Sequence, residues 1–153
     1  MLRGVSFEVP NDYGTILYDM LKPIDITKFE WLYGGGESYR TIKNDLGDDL
    51  FPKDDVIVGT ELDKLLREGS YYIIFADLKA FPQGKHQEIM TYGEFSQSDC
   101  ELVVLIVDSC NVDIYCKDKF KLDMLYKNAL EQEYKDVEYI TDEDDGRNLL
   151  ECW

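Results

Sequence analysis

Hydrophobic residues recur with two periods along this chain, and each period predicts a different kind of element. Alternation with a period of two over residues 4–9 and 29–33 predicts strands, because successive side chains of a strand point to opposite faces. Two runs, residues 71–76 and 102–107, are apolar at almost every position and predict central strands covered on both faces. Weaker patterns predict the remaining strands, at residues 37–42, 56–58, 87–92, 112–116, 137–140 and 148–152.

Three segments instead carry apolar residues at the spacing of an amphipathic helix. The first covers residues 13–21 and stops before Pro23, since the residue before a proline is pushed out of the helical region. The second covers residues 60–69, and the third and longest covers residues 118–133. Strands joined mostly by short turns, with helices between them, predict an α+β fold. We expect a single domain over residues 1–153, with a mixed or antiparallel sheet and three helices packed against it.

The same patterns predict which side chains form the core. Ile74 and Leu105 belong to the two runs that are apolar on both faces, and Leu125 belongs to the apolar stripe of the third helix. We therefore expect all three side chains to be inaccessible to solvent.

A run of three glycines, Gly34, Gly35 and Gly36, separates two predicted strands. A phosphate-binding loop would need a helix after the glycines and a Lys followed by Ser or Thr, and the sequence has neither. The run therefore predicts the tip of a β-hairpin. A loop rich in Asp, Gly and Pro is predicted at residues 44–55.

Net charge limits the partners that this chain can bind. It has 32 acidic and 16 basic residues, for a formal net charge of −16. Phosphate backbones and anionic lipid surfaces attract clustered Lys and Arg, so neither nucleic acid nor a membrane is an expected partner. The surplus of carboxylates either keeps the protein soluble or forms a face that docks on a basic protein. We predict an interaction protein, immunity-like or inhibitor-like, and leave the solubility interpretation open.

The densest acidic run is Asp142, Glu143, Asp144 and Asp145, and we predict that it is the partner-binding surface. The run resembles a calcium-binding loop only at first sight. With Gly146 at the sixth position of an EF-hand loop, Cys152 falls at the twelfth, where a bidentate Glu is required. A solvated turn between two strands is the other interpretation of the same four residues.

A second acidic cluster supports a different class of function. Asp45, Asp48, Asp49, Asp54 and Asp55 lie in the predicted long loop, and paired carboxylates can hold a divalent ion. The alternative prediction is therefore a small hydrolase or transferase that depends on a divalent metal. His86 is the only histidine, and nothing near it in the sequence except Glu88 offers it a partner, so we assign no catalytic residue, metal site or cofactor.

Cysteine usage and apolar runs bear on the compartment. The four cysteines have neither CxxC spacing nor partner histidines, so we expect four unbridged thiols. The first residues lead straight into an alternating strand pattern, and no apolar run approaches the roughly 20 residues that a membrane-spanning helix needs. These features predict a cytoplasmic protein.

Three stretches and the final residue resemble a family of small uncharacterised proteins from Bacillus and its relatives. The stretches are residues 3–14, 21–27 and 136–147, together with Trp153. The resemblance spans nearly the whole chain and implies a bacterial cytosolic protein. It carries over no catalytic or ligand-binding residue.

Overall fold

The structure is a computed structural model that describes residues 1–152, so Trp153 of the resemblance lies outside the described residues. Its centre is one sheet of eight strands. The strands are β1 (Leu2–Glu8), β2 (Glu30–Ile42), β3 (Asp45–Asp49), β4 (Val56–Val58), β5 (Tyr71–Phe81), β6 (Leu102–Val107), β7 (Asn111–Cys116) and β8 (Lys135–Thr141). The helices are α1 (Ile16–Met20), α2 (Gly59–Arg67), α3 (Tyr92–Gln97) and α4 (Lys119–Glu131), with a 3₁₀ turn at Ile26–Lys28.

The strands follow the order β3-β2-β5-β6-β7-β1-β8, and the short β4 pairs with β2 on the same side as β3. Every strand pair is antiparallel. The predicted α+β class is confirmed. The sheet is antiparallel rather than mixed. The prediction of one domain over residues 1–153 stays a prediction.

Three helices were predicted and the described residues form four α-helices. The additional helix is α3, which begins at Tyr92, the last residue of the strand expected at residues 87–92. Thr91 caps this helix: its hydroxyl accepts a hydrogen bond from the Glu94 amide at 3.1 Å, while the Glu94 carboxylate accepts from the Thr91 amide. This reciprocal pair is a capping box, and Thr-x-x-Glu is its sequence signature.

The sheet separates two groups of buried side chains. The first group lies between one face of the sheet and the helices α1, α2 and α4. It includes Leu17, Leu62 and Leu125, one from each helix. The second group lies between the other face of the sheet and α3 with the C-terminal segment. It includes Leu105 of β6 and Leu150 of the C-terminal segment. Leu105 is 0% exposed and Leu125 is 1% exposed, so both predictions of burial are confirmed.

Ile74 is only partly buried, and a β-bulge explains why that prediction is wrong. In the β2–β5 ladder, Glu37 pairs with Phe75 and Ser38 pairs with Ile73, so Ile74 has no partner residue. An extra residue in one strand shifts the alternation of faces by one. The apolar run therefore does not cover both faces evenly at this point.

The hairpin tip lies elsewhere than predicted. β2 runs through Gly34, Gly35 and Gly36 without turning, and the chain reverses instead at Lys43 and Asn44. Both of these residues have positive φ, 51° and 66°, and they join Ile42 to its partner Asp45. Two consecutive left-handed residues are the geometry of a type I′ turn, which favours tight hairpins. Residues 45–49 of the predicted 44–55 loop are consequently strand β3.

The prediction of a last strand at residues 148–152 is also wrong. This segment forms a single bridge, between Thr91 and Leu149, and otherwise lies along the second face of the sheet. Leu150 anchors it there with 1% exposure. No helix among residues 1–152 is long and apolar enough to cross a membrane.

Candidate functional site

A cleft of about 660 Å³ opens at the β2 side of the sheet, and its lining includes residues from both groups of buried side chains. One part of the lining comes from the end of β3 and the loop at residues 49–55, and another part from residues 88–90 and Glu151. A volume of this size is in the range of pockets that hold small ligands or single side chains of a partner. The cleft is therefore the candidate site.

The glycine run forms part of the floor, and the structure explains why these positions are glycines. Between Tyr33 and Gly36, β2 has two residues opposite the single Asp77 of β5, which is a bulge. Gly35 and Gly36 have φ values of 107° and 144°, which side chains disfavour. A Cβ on Gly34 would lie 2.5 Å from Asp77 Oδ2. At this bulge, the Gly34 backbone, which has no side chain, packs directly against the Asp77 carboxylate.

A buried ion pair lies beside this bulge. Lys79 Nζ is 2.6 Å from Asp77 Oδ1, and each side chain is 6% exposed. Lys79 Nζ also donates a hydrogen bond to the Leu150 carbonyl oxygen at 2.9 Å. Burial raises the pKa of Asp77, while Lys79 opposes that effect. Charged groups that are buried together in a cleft mark functional sites more often than the average surface group does.

Tyr33 stands at the junction of floor and wall. Its ring packs against Phe51 with the centroids 4.6 Å apart. Burial raises the pKa of Tyr33 to about 12, and the nearby Cys152, Asp49 and Asp77 contribute to the same direction. The phenol therefore keeps its proton at neutral pH and remains within electrostatic reach of two carboxylates.

The walls carry carboxylates that the protein does not neutralise. Of the acidic side chains that line the cleft, only Asp77 has a cationic partner within 4.0 Å among residues 1–152. Lys53 and Lys79 are the two basic residues of the lining. The unpaired acids are Glu37, Asp49, Asp55, Glu88 and Glu151. The cleft consequently carries a clear surplus of negative charge.

Sequence reasoning missed the centre of this site, although a signal was present. The predicted strand ended at residue 76, so Asp77 and Lys79 fell outside it. In fact β5 continues to Phe81, and two charged residues two positions apart in an apolar strand point to the same face. Charges at such positions are seldom buried unless paired.

The predicted binding turn at Asp142 to Asp145 lies apart from the cleft, and two of its carboxylates are used within the protein. Arg3 binds Asp142 at 2.7 Å and Asp145 at 3.2 Å. The Asp145 side chain is only 5% exposed and also accepts a hydrogen bond from the Tyr115 hydroxyl at 3.1 Å. Arg3 lowers the pKa of Asp142.

The other two members of the turn, Glu143 and Asp144, are exposed and make no ion pair within residues 1–152. The turn follows β8 and is not followed by a strand, contrary to the expected turn between two strands. Whether these four residues bind a partner stays a prediction.

His86 has a carboxylate partner that the sequence did not indicate. Glu30, at the start of β2, binds both the His86 ring through Nδ1 and the Gly84 amide. The hydrogen bond from the Gly84 amide, followed by that from His86, lowers the pKa of Glu30. This contact fixes the loop that leads into residues 88–90 of the cleft lining. Glu88, the partner that sequence spacing suggested, lines the cleft instead.

The acidic loop lies partly at the cleft. All five of its aspartates are exposed, and two of them, Asp49 and Asp55, line the cleft, whereas Asp45, Asp48 and Asp54 do not. Within residues 1–152, no group of three or more His, Cys, Asp or Glu side chains is arranged to hold a metal ion. The four cysteines are unbridged, as predicted.

Fold and cleft together define a small acidic α+β protein in which an antiparallel sheet carries a carboxylate-walled cleft at a glycine bulge. The chain belongs to the family described as protein of unknown function, DUF2691, which matches residues 2–151. It is 45% identical over 152 residues to the uncharacterized protein YncE of Bacillus subtilis (strain 168), a match that covers 98% of this chain and 99% of that protein. No solved structure matches the chain. The resemblance to a family of uncharacterised Bacillus proteins is thereby confirmed.

Proposed function

We propose that this protein is a non-catalytic, cytoplasmic binding protein that receives a basic segment of a partner protein in its cleft. One observation carries the proposal: five acidic residues without cationic partners line a single cleft. Like charges that line the same cleft repel one another, and a cationic ligand relieves that repulsion. Complementary charge also speeds association with a basic partner, which suits an inhibitor-like or immunity-like role.

The sign of the charge sets the class of partner. With a net charge of −16, the protein repels nucleic acid and anionic membranes at long range. A basic protein surface is the complementary partner. The free thiols agree with a reducing compartment, which supports the cytoplasmic assignment.

Two matched variants test where the partner binds. Asp49→Asn/Glu88→Gln removes two unpaired charges from two separate segments of the cleft lining, and Glu143→Gln/Asp144→Asn removes two unpaired charges from the acidic turn. We expect tagged wild-type protein to capture a partner from a bacterial lysate at low salt and to release it at high salt, because the attraction is screened. The cleft variant should lose most of this capture, and the turn variant should retain it.

The reverse pattern would contradict the cleft as the binding site and would support the turn at Asp142 to Asp145 instead. Melting temperatures equal to that of the wild type for both variants would show that neither substitution acts through the fold. The pair is informative because both variants have the same net charge, so a difference in capture reports position rather than total charge.

The alternative function, a hydrolase or transferase that uses a divalent metal held by acidic loop residues, makes a different prediction. A ligand that binds only the folded state raises its stability by mass action. Under the binding-protein proposal, Mg²⁺, Mn²⁺ and Ca²⁺ should leave the melting temperature unchanged beyond the effect of ionic strength, which a matched NaCl series measures. A specific rise that Asp49→Asn/Asp55→Asn removes would favour the metal-dependent enzyme.

A further inference from the structure

We propose that the outer edge of β8 is a docking site for an extended, basic segment of a partner protein, which adds to the sheet as a further antiparallel strand. β8 stands last in the strand order, and among residues 1–152 it pairs only with β1. The cleft lies beside β2, and four strands separate β2 from β8. The edge is therefore a second surface, beyond the proposed function of the cleft.

The hydrogen bonds of β1 determine which backbone groups of β8 point outward. The Val9 amide donates to the Cys110 carbonyl oxygen at 2.9 Å, on the β7 side of β1. Successive residues of a strand direct their amide and carbonyl groups to alternate sides, so Ser6 directs its groups toward β8. Its partner Glu138 therefore directs its own amide and carbonyl groups toward β1. The outward groups belong to the residues that alternate with Glu138 along the strand.

These outward groups define a docking window, Val137–Thr141. It offers the carbonyl oxygen of Val137, both the amide and the carbonyl oxygen of Tyr139, and the amide of Thr141. The outward carbonyl oxygen of Thr141 already accepts a hydrogen bond from the Asp145 amide at 3.0 Å, which closes the window at this end. Two donors and two acceptors in this order match the ladder of an antiparallel strand.

The docking window is held in the shape that pairing requires. The ring of Tyr139 stacks on Tyr126 of α4, with the centroids 4.2 Å apart and the planes 8° from parallel. Val137 and Tyr139 pack against the first group of buried side chains and are only partly buried themselves. A partner residue opposite Tyr139 would extend this apolar surface. Because the strand is already ordered, binding pays little to order it.

The other face of the docking window is acidic. Glu138 pairs with Ser6, which pairs with Asp113, so all three side chains point to the same face of the sheet. Glu138 is exposed and borders a cavity of about 520 Å³. Arg147 binds Asp113 at 2.9 Å in this cavity, whereas Glu138 forms no ion pair within residues 1–152. A lysine or arginine opposite Glu138 in an added strand would supply the missing cation.

Charge also excludes a second copy of this chain as the occupant. Two copies of β8 that pair about Glu138 place their Glu138 side chains opposite each other. Pairing about Tyr139 places Asp136 opposite Asp142, and pairing about Ile140 places Glu138 opposite Asp142. Like charges directly opposite each other destabilise a strand pair, and each copy carries a net charge of −16. The complementary occupant is a segment that alternates apolar and basic residues.

Titration of the isotope-labelled protein with the peptide acetyl-Lys-Val-Lys-Val-Lys-Val-Lys-amide tests the inference, with amide hydrogen exchange as the readout. In the free protein, the inward amides of Glu138 and Ile140 should exchange slowly, and the outward amides of Tyr139 and Thr141 should exchange quickly. Saturating peptide should slow exchange of the two outward amides at least tenfold. The same peptide with glutamate in place of lysine should not protect them.

Two N-methylated peptides separate backbone pairing from charge. With the lysines opposite Glu138 and Ile140, the valine amides point toward the docking window and the lysine amides point away from it. N-methylation of the valines should therefore weaken binding at least tenfold, because it removes several hydrogen bonds at once. N-methylation of the lysines is the matched control and should leave the affinity within about twofold.

Two protein variants locate the charge contact. Glu138→Gln should weaken binding of the lysine peptide about threefold, the usual effect of an opposite-charge pair across strands. Glu61→Gln is the matched control, because it makes the same change of net charge at an exposed position in α2. It should leave the affinity unchanged. Asp49→Asn/Glu88→Gln should keep the protection of the outward amides, because the cleft takes no part in this contact.

Several results would overturn the inference: unchanged exchange at Tyr139 and Thr141, equal effects of the two N-methylated peptides, or equal affinities of Glu138→Gln and Glu61→Gln. Protection that rises with protein concentration in the absence of peptide would assign the edge to a second copy and overturn the choice of partner. Peptide-induced shifts confined to residues 34–36 would place the basic segment in the cleft alone. That result would support the proposed function and show that this inference is wrong.

Discussion

Replacing Lys79 with methionine should destabilise the protein by about 3–5 kcal/mol, because it leaves the buried Asp77 carboxylate without its cation. The substitution also removes the hydrogen bond to the Leu150 carbonyl, which holds the C-terminal segment on the sheet. Urea unfolding followed by circular dichroism measures the loss. The free energy of unfolding can be read directly if the transition is two-state.

The pH dependence of this loss has a definite sign. Burial already raises the pKa of Asp77, and removing Lys79 should raise it further, since Lys79 opposes the rise more than any other group does. A carboxyl group whose pKa is higher in the folded than in the unfolded state favours folding in its protonated form. The stability of Lys79→Met should therefore approach that of the wild type as the pH falls through the raised pKa of Asp77.

The double variant Asp77→Leu/Lys79→Met is the matched control for the single substitution. Replacing both partners of a buried ion pair with apolar side chains is often neutral or stabilising. We expect the double variant to be more stable than Lys79→Met. If it were instead equally destabilised, the cost would come from lost packing and not from an uncompensated charge.

Truncation of Leu105 to alanine should cost about 2–5 kcal/mol. Leu105 is fully buried in β6, where it pairs with Asp77 of β5 and packs among side chains such as Phe95 and Leu150. The change leaves a cavity within the second group of buried side chains. Equilibrium unfolding measures the cost, and a loss below about 0.5 kcal/mol would contradict the assignment of Leu105 to the core.

Ile74→Ala serves as the comparison for Leu105→Ala, since both substitutions shorten an aliphatic side chain in a central strand. Ile74 is the unpaired residue of a bulge and is only partly buried, so its truncation should cost roughly 1–2 kcal/mol. Equal losses at the two positions would show that the bulge does not expose Ile74 as described.

Long, strongly patterned elements could be predicted from the sequence, and local irregularities could not. β6 was predicted with its observed bounds because six consecutive apolar residues stand between polar turns. The bulges in β2 and β5 escaped prediction because they depend on which residues pair across the sheet, which no local pattern records. The glycine run was assigned to a turn for the same reason: glycine permits positive φ, and both a hairpin tip and a bulge use it.

The site was harder to predict than the fold, since its parts are far apart in the sequence. Tyr33, Asp77 and Glu151 come from three separate segments and meet only once the sheet and the C-terminal segment are in place. Sequence reasoning weighed each acidic run by its local density, which selected residues 142–145. Density does not tell a free carboxylate from one that Arg3 already binds.

The pairing of β1 with β7 and β8 also sets the order in which the chain can fold. Val5 pairs with Ile114 on one side and with Tyr139 on the other, so β1, which is made before every other strand of this sheet, finds both neighbours only after β8 has been made. The β2–β3 and β6–β7 hairpins close over short loops and can form much earlier. Closing long loops slows folding, and an unpaired strand edge invites association with other chains. During translation, β1 with its apolar Val5 and Phe7 is therefore the segment of this protein most exposed to aggregation and to capture by chaperones.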